Sequence, residues 1–156
     1  DNLLAQFYAS LGDAYHAIES YKDSDKSYDK SLELFPENTY VLNNFSYYLS
    51  LRNVKLEQAE EMMSSCVKLQ PNQSSYEDTY AWIFYQKKEY ENALIWLEKS
   101  IKNGGGSSAT IVEHYGDALY QLGRNDEAVE QWIKAKELGS DSEWIDKKIA
   151  DKTLYE

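Results

Sequence analysis

Residues 8–15 read Tyr8-Ala9-Ser10-Leu11-Gly12-Asp13-Ala14-Tyr15, and 104 residues later the chain reads Val112-Glu113-His114-Tyr115-Gly116-Asp117-Ala118-Leu119. The small residue at the centre of this stretch recurs as Gly12, Ser46, Ala81 and Gly116, at intervals of 34, 35 and 35 residues. A second small-residue ladder, Ser24, Ala59, Ala93 and Ala128, keeps step with it. Each is paired with a bulky ladder: Tyr15, Leu49, Phe84 and Leu119 for the first, and Tyr28, Met63, Leu97 and Trp132 for the second. Two helices approach within about 8 to 10 Å only where the crossing residues are small. Two such ladders in phase therefore predict one helical hairpin built four times over.

The hairpins can be placed from periodicity and breakers. Leu4, Tyr8, Leu11, Gly12 and Tyr15 follow the i, i+3, i+4, i+7 rule, and after a polar break Tyr28, Ser31, Leu32 and Leu34 supply a second apolar face that Pro36 ends. Repeats are expected at about 5–38, 39–73, 74–108 and 109–140, with one extra residue absorbed near Arg52 to Lys55. Asn103-Gly104-Gly105-Gly106-Ser107-Ser108 breaks the third repeat from the fourth, Ser107 or Ser108 being placed to cap the next helix. A capping helix at about 141–153 is expected to turn Trp144, Ile145, Ile149 and Leu154 inward and Lys147, Lys148 and Lys152 outward. The reading is a single all-α domain over 1–156, an α-solenoid of antiparallel hairpins.

These residues resemble the tetratricopeptide repeat family. The pattern appears as Tyr8, Leu11-Gly12, Tyr15, Tyr28 and Pro36 in the first repeat, and as Val112, Tyr115-Gly116, Leu119, Ala128, Trp132 and Ala135 in the fourth. Ser24 and Ser31 stand where the family prefers alanine, Ser46 where it prefers glycine, and Glu77 where a bulky apolar residue belongs. The resemblance implies a right-handed superhelix whose first helices line a concave, partner-binding side. By that register the groove would present Asp13 and Ala17, then Asn43, Asn44, Tyr47 and Leu51, then Asp78, Thr79, Trp82, Tyr85 and Gln86, then Glu113, Asp117, Tyr120 and Gln121.

Composition narrows the partner. With 16 Lys plus Arg against 27 Asp plus Glu the net charge is -11, which repels a phosphate backbone and excludes nucleic acid as a natural partner. No stretch of about 20 apolar residues would span a bilayer, so no membrane insertion is expected. One subclass of the family holds acidic chaperone C-termini in a clamp of basic and Asn side chains. At the clamp positions this chain has Ala9, Asp13, Asn44, Ser75 and Thr79. The expected partner is therefore a protein or peptide segment, basic or aromatic, held mainly by Asp13, Asn43, Asn44, Tyr47, Asp78, Trp82, Tyr85, Glu113, Asp117 and Tyr120. Short glycine-rich joints and plain repeats give the chain a bacterial cast. The first helix, with Leu4, Phe7 and Leu11 on its outer face, offers a surface for homo-oligomerisation or for a longer solenoid acting as spacer.

Catalytic, metal and cofactor chemistry is not expected. His16 and His114 are the only histidines, about 100 residues apart, without a nucleophile on a strained turn beside either. Glu113 and Asp117 read as a solvated face, not as a pair in an apolar cleft. Cys66, the only cysteine, sits at a small-residue position of its second helix and reads as a buried, inert thiol. An auxiliary domain of a larger enzyme is the remaining alternative.

Overall fold

A computed structural model describes residues 2–156. They form α1 (Asn2–Ala17), α2 (Tyr21–Leu34), α3 (Thr39–Leu51), α4 (Leu56–Leu69), α5 (Ser74–Gln86), α6 (Tyr90–Lys102), α7 (Ala109–Gln121), α8 (Asn125–Glu137) and α9 (Ile145–Asp151), with a 3-10 turn at Gly105–Ser107. The described residues contain no strand, and no helix is long and apolar enough to cross a membrane. Each odd-numbered helix from α1 to α7 packs most extensively on the helix that follows it, so the hairpin is the structural unit. The chain divides into two compact units, residues 1–71 and 72–156, each holding two hairpins.

Every hairpin closes in the same way. Glu19, Asn53, Lys88 and Gly123 are equivalent positions, and all four have positive φ, between 53° and 77°. The amide after each reaches back five residues, from Ser20, Val54, Glu89 and Arg124 to the carbonyls of Tyr15, Leu49, Phe84 and Leu119. That is a Schellman closure, which satisfies carbonyls the helix end would otherwise orphan. The extra residue of the second hairpin is taken up by Lys55, which also adopts the left-handed conformation, at φ 49°.

The crossings explain the small ladders. A Cβ on Gly12 would lie 2.7 Å from the Tyr28 ring, and one on Gly116 would lie 2.7 Å from the Trp132 ring, so glycine is what admits these fully buried aromatics. The serines that replace alanine do more than fit. Ser24 donates to the Gly12 carbonyl at 2.9 Å and Ser31 to the Ala5 carbonyl at 2.8 Å. Ser100 donates to Ser74 at 2.7 Å, and the Cys66 thiol lies 3.5 Å from the Thr39 carbonyl, so one ladder position ties the second helix to the start of the first in three hairpins. Cys66 is fully buried, and burial pushes its thiol up to about 12.

Glu77 is buried where a bulky residue was expected because the Asn103 side-chain amide donates to both its oxygens, at 2.8 and 2.9 Å. Ser108 caps α7 by accepting from the Ile111 amide, and Asn38 caps α3 by accepting from Val41. The capping helix is shorter than its sequence suggested. α9 has seven residues, Lys152 leaves it in the left-handed conformation, and Leu154 reaches the core from beyond its end.

Candidate functional site

Asp13 and Asp117 follow the glycines of the first and last hairpins, and the register sets each beside the aromatic residue fifteen positions on. In the unit of residues 1–71, Tyr28 donates its hydroxyl to Asp13 Oδ1 at 2.5 Å, and Tyr40 from α3 donates to Oδ2 at 2.7 Å. Both partners are neutral phenols. Burial, and then the bond to Asp13, push the Tyr28 hydroxyl far above its usual range; the bond itself pushes Tyr40 up to about 12. Beside Asp13 lies a cavity of about 420 Å³ lined by Gln6, Ser10, Asn38 and Tyr40, among others. Asn43, Asn44 and Tyr47 of α3 are partly exposed, and the Asn43 amide donates to Asn44 at 3.2 Å.

In the unit of residues 72–156 the equivalent carboxylate is placed differently. Trp132 Nε1 donates to Asp117 Oδ1 at 2.8 Å, and the Lys148 ammonium donates to Oδ1 and Oδ2 at 2.9 and 3.0 Å. The same ammonium reaches Glu113 Oε1 at 3.0 Å, while Ser140 donates to Oε2 at 2.7 Å. All three charged residues are buried, Lys148 to 3% exposure. Burial pushes Asp117 up to about 6 against the pull of Lys148. Burial acts upward on Glu113 too, but Ser140 and Lys148 overcome it and hold that carboxyl below its usual value. For Lys148 the desolvation penalty is outweighed by the two carboxylates, which raise it.

This corrects two sequence expectations. Glu113 and Asp117 are a buried pair sharing one lysine, not a solvated face, and Lys148 points inward instead of outward. The cause is register: Lys148 stands 104 residues after Asn44, in the place a first helix of a fifth hairpin would occupy.

The aromatic residues of this unit form the walls. Trp82 stacks on Tyr85 at 4.3 Å between centroids and on His114 at 3.9 Å. His114 Nδ1 lies 2.9 Å from Asp78 Oδ1; burial would lower the imidazole, but the Asp78 carboxylate overrides it and the net shift is upward. Tyr120 packs on Trp132, and Tyr85 is only 4% exposed. A cavity of about 290 Å³ lies between Trp82 and His114 on one side and Trp144 and Tyr155 on the other, with Glu113, Asp117 and Lys148 also lining it.

Of the ten candidate residues, the structure therefore leaves Asp13, Asn43, Asn44, Tyr47, Trp82 and Tyr120 partly exposed, and buries Asp78, Tyr85, Glu113 and Asp117. His16 has its Nδ1 buried without a hydrogen-bond partner, its ring stacked on Tyr48 at 3.5 Å. Burial, then the nearby Arg52, lower its pKa.

The tetratricopeptide repeat family pattern matches residues 6–151. The chain belongs to this family. Its fold is similar to that of MamA, with a TM-score of 0.77 at 17% identity over 96% of this chain and 80% of that one. MamA from Desulfovibrio magneticus gives a TM-score of 0.76 at 16% identity, covering 88% of this chain and 78% of that one. The pilF protein of Pseudomonas aeruginosa gives 0.78 at 19% identity, covering 95% of this chain and 71% of that one. A further fold neighbour is the first such domain of Spaghetti (RPAP3), described as bound to the HSP90 peptide SRMEEVD, at a TM-score of 0.66 and 14% identity over 73% of this chain and 89% of that one. No curated protein matches the sequence.

Proposed function

We propose that this chain is a protein-interaction scaffold whose first-helix faces receive a peptide or helical segment of a partner protein, aromatic or basic in character. The observation that carries this reading is Asp13: a partly exposed carboxylate at a cavity, fixed in position by two phenols and, among the described residues, paired with neither lysine nor arginine. Two hydrogen bonds from neutral phenols preorganise it for a cation on the partner. Asn43, Asn44 and Tyr47 add backbone-binding amides and rigid aromatic surface on the next first helix, and Trp82 and Tyr120 extend the same chemistry in the other unit.

The Spaghetti domain shows that this kind of fold accommodates a peptide, but the acidic sequence found there does not suit the residues here. The clamp positions hold Ala9, Asp13, Asn44, Ser75 and Thr79, none of them cationic. An array of immobilised 12-residue peptides tests the reading. Basic, aromatic-containing peptides should be retained over acidic ones, and Asp13→Lys and Tyr47→Ala should each weaken retention by roughly fivefold, about 1 kcal/mol. A preference for acidic peptides would refute it.

A second observation favours self-association. Phe7 is 60% exposed, whereas its register equivalents Val41, Ile111 and Ile145 are at 0%, 7% and 5%, and Tyr76, the equivalent on α5, is partly buried. Val41, Ile111 and Ile145 lie on α3, α7 and α9, each of which packs on the helix before it. A second copy would cover the Phe7 face with apolar surface of the same kind. Light scattering should report a dimer that Phe7→Glu converts to monomer; a monomeric unaltered chain ends this reading.

A further inference from the structure

After α9, residues 153–156 turn back onto the helices. Lys152 turns the chain with φ 51°, the Thr153 amide donates to the Lys148 carbonyl at 3.2 Å, and of the next three residues Leu154 and Tyr155 are partly buried while the exposed Glu156 is held by one hydrogen bond. Leu154 packs on the cluster of Val112, Leu119, Trp132 and Ile145. Tyr155 stacks on Trp144 at 5.9 Å between centroids, with the Lys147 ammonium 4.1 Å from its ring centre. Glu156 accepts the hydroxyl of Tyr85, a residue 71 positions earlier on α5.

We propose that residues 153–156 are an intramolecular occupant of the groove bounded by α5, α7 and α9 and close it to other chain segments. The Tyr85 hydroxyl states the need most clearly. It belongs to a buried residue and already accepts from the Gln121 amide at 3.2 Å, so its own proton requires an acceptor, which Glu156 supplies. Trp144 presents an indole face that Tyr155 covers. The site therefore takes three side chains in succession: an apolar one into the core edge, an aromatic one on Trp144 and an acceptor at Tyr85. Glu156 meets a phenol and not a cation, so this is a different arrangement from a carboxylate clamp. Any partner entering this groove must first lift Tyr155 and Glu156 away.

The proposal stands apart from the role given to Asp13, and its test needs no partner. The double variant Tyr155→Ala with Glu156→Ala keeps Leu154 in the core and leaves the chain at full length. With 5-fluorotryptophan incorporated, fluorine NMR should show the Trp82 and Trp144 resonances moving in this variant, while Trp96, tilted against Tyr80 and not lining the cavity with Tyr155 and Glu156, stays in place. A labelled, end-blocked Tyr-Glu dipeptide, which needs only the two seats the variant vacates, then serves as the probe in fluorescence anisotropy. A tethered segment acts at an effective concentration on the order of millimolar, so the unaltered chain should exclude the probe. The double variant should bind it at least tenfold more tightly, and Tyr85→Phe in the same background should abolish the gain. Unmoved Trp82 and Trp144 resonances, or a probe that binds both chains alike or neither up to millimolar concentration, would overturn the proposal and leave the Asp13 reading untouched.

Discussion

The first and last hairpins use one local device for two purposes. In each, a glycine lets a fully buried aromatic ring approach, and the aspartate that follows accepts a hydrogen bond from that ring's polar edge. What differs is the group that fills the aspartate's remaining capacity from the next first helix along the chain. Asp13 receives Tyr40, a neutral and half-exposed phenol; Asp117 receives the buried ammonium of Lys148. The first arrangement leaves a negative charge at the surface, and the second consumes it inside the protein. Equivalence in the repeat therefore predicts position but not availability, which is set by a residue about 30 positions away.

The contrast is most severely tested by removing the ammonium. Lys148→Ala leaves Glu113 and Asp117 buried without their cation, and loss of one member of such a cluster costs about 3 to 5 kcal/mol. Chemical denaturation should show that drop, and adding Glu113→Gln and Asp117→Asn should recover much of it. A change below about 1 kcal/mol, the range of exposed ion pairs, would mean that the last hairpin handles its carboxylates as the first one does.

A smaller effect separates the two glycines. Alanine is favoured over glycine within a helix by about 1 kcal/mol, whereas overpacking a crossing costs about 1 to 3 kcal/mol. A Cβ at either position meets ring atoms inside 3.0 Å, so the second term wins. At residue 116 the Ala128 carbonyl is also 3.1 Å away, and the Asp117 that tethers Trp132 is itself held by the buried Lys148, a tether stiffer than the Asp13 bond to Tyr28. Gly116→Ala should thus lower the thermal midpoint more than Gly12→Ala does; equal midpoints would show that the tether does not stiffen the crossing.

The smallest effect is read from the two histidines by NMR titration. His114, raised by Asp78 against its burial, should titrate above 6.5, and Asp78→Asn should bring it down. His16, lowered by burial and then by Arg52, should titrate below 6.5. The signs for stability are opposite. The contribution of His114 is complete below pH 6.5 and fades as pH rises through its folded value. That of His16 is complete above pH 6.5 and fades as pH falls through its folded value. Titration in the reverse order would break the comparison between the hairpins.

The hairpin architecture was legible in the sequence because small side chains at helix crossings are a steric requirement that repeats with the fold. The candidate face was legible only in part. Trp82 is partly exposed but Tyr85 is buried, and the amphipathic reading of α9 turned Lys148 toward water, since a short helix with three lysines offers a polar stripe by default. The signal that could have placed it is the 104-residue offset to Asn44, a first-helix residue. Glu77 was hidden for a related reason: its partner Asn103 lies 26 residues away on another element, and no periodicity links them. The serines of the small ladders were read for size, whereas their hydroxyls also donate to specific carbonyls across each crossing.

The left-handed residue that closes each hairpin has a consequence for the chain as a whole. Glutamate, asparagine and lysine hold that post at 19, 53 and 88, although a side chain there costs about 1 kcal/mol or more that glycine avoids. The connectors are passive parts, bent into place by the helices they join. The protein thus keeps a reserve of unclaimed thermal resilience in its loops.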